Sequence, residues 1–258
     1  MFLGARNISM PKRVTAFFDG FNFYHALDGL EPKGKLVATD YASFKSWKNH
    51  LKWADLRAII QSKLDPKFEV LTEVLYFSAY ATWLPAKDAR HKTYVGALES
   101  TGVKPVLGRF KEKDRWCMAK CKQHYVSHEE KQTDVNIALF LMNYAWQDRY
   151  DRALLVSGDS DLVPAVCKVL EIFTNKSITI VTPPFRGAKE LIKASRSSRL
   201  RIELADVQSH LLADKYTHPT TGQVILRPTE YQPPTDERDW IPHIDPWGCK
   251  NNTVKQKP

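Results

Sequence analysis

The sequence predicts an α/β domain built on a parallel sheet, and three observations carry that prediction. Short apolar runs recur at 14–18, 70–77, 103–110, 153–156 and 177–182. Segments with helical spacing stand between them, and the order strand, helix, strand argues parallel pairing through right-handed crossovers. Two of the runs end in glycine-containing turns that carry aspartates: Asp19-Gly20 after the first, and Ser157-Gly158-Asp159-Ser160-Asp161 after the fourth. At the carboxyl edge of a parallel sheet that is where ligands tend to bind.

The chain has 258 residues, 43% hydrophobic and 26% charged, which suits one globular domain with appendages better than two full domains. That domain is expected over residues 13–213, after a disordered or extended stretch at 1–12 and before an arm at 214–258. No run approaches the roughly 18 to 20 apolar residues of a membrane span. The first ten residues lack the apolar core of a signal peptide, so a cytoplasmic protein is expected. The net charge of +9 favours a polyanionic partner, nucleic acid first. Four cysteines, Cys117, Cys121, Cys167 and Cys249, are too few and too unevenly placed for a disulfide scaffold.

Along the chain, the first run leads into Asp19-Gly20-Phe21-Asn22 and a helix-like 23–27. Asp19 suits a helix N-cap or a ligand, and the Asn22 amide can hold a carboxylate or a phosphate. Residues 30–49 are polar and lysine-rich without sustained periodicity, and are expected to form an insertion loop. Trp53, Leu56, Ile59, Ile60 and Leu64 share one helical face. An amphipathic helix is expected at 87–99.

Residues 111–130 break the pattern and are expected to form a loop. They hold Cys117, Cys121, His124 and His128 in the spacing C-x3-C-x2-H-x3-H. These four could close a tetrahedral zinc site, although zinc ligands usually come as two pairs separated by a longer arm. The alternative is a reduced, basic surface loop. Between Lys104 and Lys122 there are seven lysines or arginines, Arg109, Lys111, Lys113 and Arg115 among them, against two acids. Phe110 and Trp116 are interleaved with them, a composition that fits a surface tracking a nucleic-acid backbone.

The segment Glu129-Glu130-Lys131-Gln132-Thr133-Asp134 is expected to open the next helix, whose apolar stripe runs through Ile137, Leu141 and Tyr144. Asp134 then falls in or just before the first turn. A helix at 162–173 tolerates Pro164 in its first turn, where the missing N–H is of little consequence. Residues 186–201 carry six bases, including Arg186, Lys189, Lys193 and Arg196, against one acid, and a short helix anchored by Leu191 and Ile192. A last edge strand is expected at 200–204. Seven of the fifteen prolines follow Asp214, with Trp240 and Trp247 among them. This proline-rich arm is expected to dock on the domain or on a partner.

Three separated segments thus end in aspartates on one predicted rim: Asp19, Asp134, and the pair Asp159 and Asp161. Four converging carboxylates repel one another unless a hard cation such as Mg²⁺ or Mn²⁺ joins them. Such a site suits phosphoryl chemistry, in which the cation screens a phosphodiester, lowers the pKa of a bound water and stabilises the leaving oxygen.

The blocks Phe17-Phe18-Asp19-Gly20-Phe21-Asn22-Phe23-Tyr24, Glu129-Glu130-Lys131-Gln132-Thr133-Asp134-Val135-Asn136, and residues 150–164 around Ser157-Gly158-Asp159-Ser160-Asp161 resemble the three signature blocks of the NYN domain. That family, which includes the LabA-like bacterial proteins, belongs to the PIN-like nuclease superfamily. The resemblance spans roughly residues 14–204. It implies a Rossmann-like α/β/α sandwich with a central parallel sheet, and a metal-dependent ribonuclease site. It also implies that Asp19, Asp134, Asp159 and Asp161 are the acidic ligands, with Asn22 and Ser157 as orienting groups; Ser160 and Lys131 are further candidates for orienting or phosphate binding.

Three readings compete at this stage. The first is an endoribonuclease using Mg²⁺ or Mn²⁺, with RNA or DNA as its substrate and a homodimer as one form it could take. The second is a non-catalytic RNA- or protein-binding regulatory module on the same fold, since fold alone does not decide function. The third is nucleotide-sugar transfer, against which the late acidic pair and the separate Asp19 strand end both argue.

Overall fold

A computed structural model of the chain describes residues 10–118, 121–236 and 238–246. Six parallel strands form the central sheet in the order β3-β2-β1-β6-β7-β8. They are β1 (Lys12–Asp19), β2 (Glu69–Ser78), β3 (Val103–Leu107), β6 (Arg152–Val156), β7 (Ser177–Thr182) and β8 (Leu200–Arg201). Strand alternation sends Val14, Ala16 and Phe18 to one apolar layer and Phe17 to the other. In β6, Leu154 and Val156 join the first layer, while Ala153 and Leu155 join the second. Helices therefore cover both faces, giving the α/β/α sandwich that the sequence predicts.

On the first face lie α1 (Gly20–Asp28), α2 (Ala38–His50), α3 (Leu56–Gln61) and α4 (Pro85–Ser100), with α8 (Leu204–Ser209) at the end of the series. On the second lie α5 (Thr133–Trp146), α6 (Val163–Ile172) and α7 (Lys189–Ser195). From β1 the chain builds outward through β2 to β3, then crosses back to lay β6 on the other side of β1. The crevice beyond the carboxyl ends of β1 and β6 is thus the topological switch point, where open parallel sheets bind ligands.

Several elements differ from the sequence expectation. Residues 30–49 are not an irregular insertion, because α2 occupies most of them. It buries Phe44 and Trp47, and the Phe44 ring packs edge-on to Trp240 at 5.4 Å between centroids. The third apolar run splits at Gly108, whose N–H bonds Ser78 O; a Cβ added there would lie 2.7 Å from Lys131 O. Glycine lets the chain leave the sheet at that point, and most of residues 111–130 belong to the strands of a hairpin, β4 (Arg109–Trp116) with β5 (His124–Lys131), rather than to one long loop. Glu129, Glu130 and Lys131 belong to β5, and α5 begins only at Thr133, after Gln132 turns through the left-handed region at φ 83°. At the other end, β1 takes in Lys12, one residue ahead of the domain start that the sequence predicts.

The arm docks on the domain. It forms a small hairpin, β9 (Lys215–Thr217) with β10 (Val224–Leu226), and sends Ile225, Trp240 and Ile244 into the first apolar layer. Trp240 is 1% exposed, so the arm completes this core. Trp247 and Cys249 lie outside the described residues.

Candidate metal centre

The rim of the switch point is organised around Asp19, the last residue of β1 and the N-cap of α1. Its Oδ1 accepts from the Asn22 N–H at 2.9 Å and its Oδ2 from the Ser157 hydroxyl at 2.7 Å, and the residue is 4% exposed. Burial pushes its carboxyl up to about 7, against the pull of those two hydrogen bonds, and Asp134 and Asp159 add to the lift. Gly20 follows because nothing larger fits. A Cβ there would stand 2.6 Å from both Phe77 O and the Tyr76 ring.

The turn after β6 is stitched to the same place. Ser157 Oγ, while donating to Asp19, accepts from Asp159 N–H at 3.0 Å, and Gly158 N–H donates to Asn22 Oδ1 at 3.0 Å. Asp159 caps the single 3-10 turn Ser160–Leu162, its Oδ1 accepting from Asp161 N–H at 2.9 Å. From the other side, Glu130 Oε1 accepts from Thr133 N–H at 3.0 Å, tying β5 to the first residue of α5, whose first turn holds Asp134. Burial lifts the Asp134 carboxyl to about 6, and the charges of Asp159, Glu130 and Asp161 push the same way.

Asp134, Asp159 and Asp161 each offer an oxygen, and these oxygens lie within 4.8 Å of one another. All-oxygen donors, half-buried to exposed and mutually repelling, fit a hard divalent cation. Asp19 stands behind this trio, with both oxygens already engaged by Asn22 and Ser157. The structure therefore brings three of the four sequence-predicted aspartates into one cluster and links the fourth to it through the Ser157 hydroxyl.

A family profile described as the NYN domain matches residues 2–199. The chain belongs to the NYN domain family. NYN domains sit within the PIN-like nuclease superfamily, which agrees with the six-stranded parallel sheet. A curated relative is the 6-hydroxy-3-succinoylpyridine 3-monooxygenase HspA of Pseudomonas putida, 24% identical over 208 residues, covering 68% of this chain. The match spans 61% of that relative's length. A crystal structure of a protein of unknown function from Vibrio parahaemolyticus is similar at a TM-score of 0.48 and 17% identity, over 81% of this chain and 100% of the other.

In this NYN domain the four candidate zinc ligands Cys117, Cys121, His124 and His128 do not close into one site, although the Cys117 and Cys121 side chains meet in a hydrogen bond. Successive residues of a strand advance by about 3.3 Å, so two histidines four apart on β5 cannot share an ion. His124 Nε2 instead lies 3.0 Å from Asp114, and the His128 ring stacks on Trp83 at 3.7 Å with an 8° tilt. Among the described residues the aspartate trio is the one cluster of three or more potential metal ligands.

The hairpin instead sorts charge by face. Arg109, Lys111, Lys113 and Arg115 alternate along β4 and share a face with Lys131, Glu129, Ser127 and Tyr125 of β5. Glu129 is approached by Arg115, by Lys131 at 3.2 Å and by Lys113 at 3.6 Å. Arg115 and Lys131 hold it down to about 2. One carboxylate among five bases leaves that face strongly positive. Its base, the Arg109 and Lys131 pair, stands three residues from Asp134.

The second basic stretch sits near the trio's other flank. Lys189 and Lys193 are exposed on α7, and Arg196 caps that helix in the left-handed region at φ 53°. Arg186 donates to His25 O at 2.9 Å, beside Gly187, whose carbonyl abuts Gly158. Ser160 is exposed in the turn that holds Asp161. Sequence reasoning missed the ring series formed by Phe21, Phe110, Trp83 and His128. Its members come from four separate elements, so no single stretch signals it.

Proposed function

We propose that this NYN domain is a metal-dependent endoribonuclease, with Asp134, Asp159 and Asp161 holding Mg²⁺ or Mn²⁺. The observation that carries the reading is the meeting of three aspartates at the sheet's switch point beside a positively charged hairpin face. When bound, the cation supplies charge neutralisation at the phosphodiester and acidifies a water. The chain's own residues do the rest. Arg109, Lys111, Lys113 and Lys131 draw in the phosphate backbone, with Lys189, Lys193 and Arg196 on the far flank. Ser157 holds the proton shared with Asp19 Oδ2 and fixes the Asp159 backbone, so Asp19 and Asn22 keep the trio in register.

The test is cleavage of single-stranded RNA by the purified chain with Mg²⁺ or Mn²⁺, repeated in EDTA and with Asp159→Asn. Cutting is expected only in the first case. Undiminished cutting by the variant or in EDTA removes the assignment, and a parallel run with DNA settles the sugar. A second reading is favoured by the ring-lined cavity bordering the acidic rim together with the pyridine in the name of the Pseudomonas relative. In it, the same site receives a small heteroaromatic acid. Saturable binding of such an acid without any RNA binding would select it.

A further inference from the structure

A cavity of about 850 Å³ opens between α1, α4 and the β4–β5 hairpin. Its wall includes Gly20 and Phe21, which follow Asp19 directly, and Glu130, which accepts from the first N–H of α5 and adds to the charge felt at Asp134. Through those neighbours the cavity borders the acidic rim. The mouth is built from rings. Trp83 lies edge-on to Phe110 at 4.6 Å, and Phe110 edge-on to Phe21 at 5.6 Å. Trp83 and Phe21 are only half-buried, so although His128 covers one face of the Trp83 ring, the rings keep accessible surface.

Deeper in, the floor is polar and compact. His91 Nε2 lies 3.3 Å from Tyr76 Oη and 3.4 Å from Ser78 Oγ, a set that can both donate to and accept from a flat hydrogen-bonding edge. Burial holds His91 down to about 4, so this floor is uncharged at neutral pH. Lys45 and Lys87 line the same cavity. Flat rings at the entrance, a neutral donor and acceptor set within, and bases nearby match a nucleotide better than an aliphatic ligand, and the volume is within the usual range for such sites.

We infer that this cavity takes an unpaired nucleobase of the RNA strand, stacked against Trp83 and Phe110, so that the substrate must be single-stranded beside the scissile phosphate. The inference rests on the nuclease reading for its choice of strand, and its test is separable from that reading. Stacking on one aromatic ring accounts for roughly tenfold in affinity.

The experiment measures binding of a short oligoribonucleotide to the full chain carrying Asp159→Asn, which removes cutting from the readout. A series of the same oligonucleotide with one abasic position moved along its length is compared with the intact strand. One abasic position is expected to weaken binding about tenfold, Trp83→Ala to weaken it equally, and the two losses not to add. Phe21→Leu, on a different element, guards against a local collapse around residue 83 and is expected to reproduce the loss. An abasic series without any sensitive position overturns the inference, as does a loss in Trp83→Ala that adds fully to the abasic loss. A flat series together with saturable binding of nicotinate assigns the cavity to a small acid instead. Mg²⁺-dependent cutting by the wild type with a flat series keeps the nuclease and discards the base site. No cutting with an abasic-sensitive series does the reverse.

Discussion

Replacing Asp134 by asparagine should make the metal-free protein more stable while depriving it of its response to Mg²⁺. The carboxyl is lifted from 3.8 to about 6, roughly two units, by burial first and then by Asp159, Glu130 and Asp161. At about 1.4 kcal/mol per unit this is about 3 kcal/mol between its charged and neutral forms. Asp134 is only half-buried, and screening by water reduces the figure to about 1–2 kcal/mol. The sign follows from linkage. An acid whose folded pKa is raised is fully accommodated below 3.8, and stability is lost as pH rises through about 6. Above that pH the wild type carries the strain and Asp134→Asn does not.

For a chain of this size the gain corresponds to about 3–6 °C in Tm. A cation at 100 times its Kd returns about 2.7 kcal/mol to the wild type, more than offsetting the repulsion. Thermal unfolding followed by circular dichroism from pH 4 to 8, in EDTA and then in Mg²⁺, reads both effects. A variant that melts below the wild type at pH 8 in EDTA would refute the reasoning, and so would equal stabilisation of both proteins by Mg²⁺.

Three further outcomes are expected. Lys111→Ala should reduce the salt dependence of single-stranded RNA binding by about 0.7 in log–log slope, measured in the Asp159→Asn background; an unchanged slope takes the hairpin face out of the interface. Trp240→Ala should destabilise the chain by about 3–5 kcal/mol in urea unfolding, because the ring is fully buried against Phe44. A loss under about 1 kcal/mol would mean that the arm is not part of the core. His91 is held down from 6.5 to about 4, so its contribution is complete above 6.5 and lost as pH falls toward 4, about 2 kcal/mol of it by pH 5. His91→Gln should lack that acid-side loss, and parallel pH profiles for the two proteins would count against it.

Which parts of this molecule could be read from the sequence depends on where each residue finds its partner. The strands of the sheet are legible because each is buried on both faces by helices near it in the chain, and continuous apolar runs record that. The α2 helix is not, since its buried face is little more than Phe44 and Trp47 and its cover, Trp240, arrives from the far end of the chain. The hairpin hid for a different reason. Its period of two is present in Arg109-Phe110-Lys111-Glu112-Lys113-Asp114-Arg115-Trp116, but it alternates bases with acids and rings instead of apolar with polar residues. Taken as a loop, the same stretch invites a zinc site; extended as a strand, it pulls His124 and His128 apart.

The aspartates show the same dependence at the level of chemistry. Spacing marks Asp19, Asp134, Asp159 and Asp161 alike as strand-end or helix-start acids, yet they separate by environment. Asp19 is enclosed, and two donors, Asn22 N–H and Ser157 Oγ, occupy its oxygens. The other three face the crevice, where each still has an oxygen to offer within reach of the rest. A buried carboxylate satisfied by the protein steadies the turn after β6, while the rim carboxylates repel one another, a repulsion that a bound cation or loss of one charge relieves. Ser157 and Gly158 tie the Asp159 turn to Asp19 and Asn22, and those hydrogen bonds oppose its splaying under the repulsion.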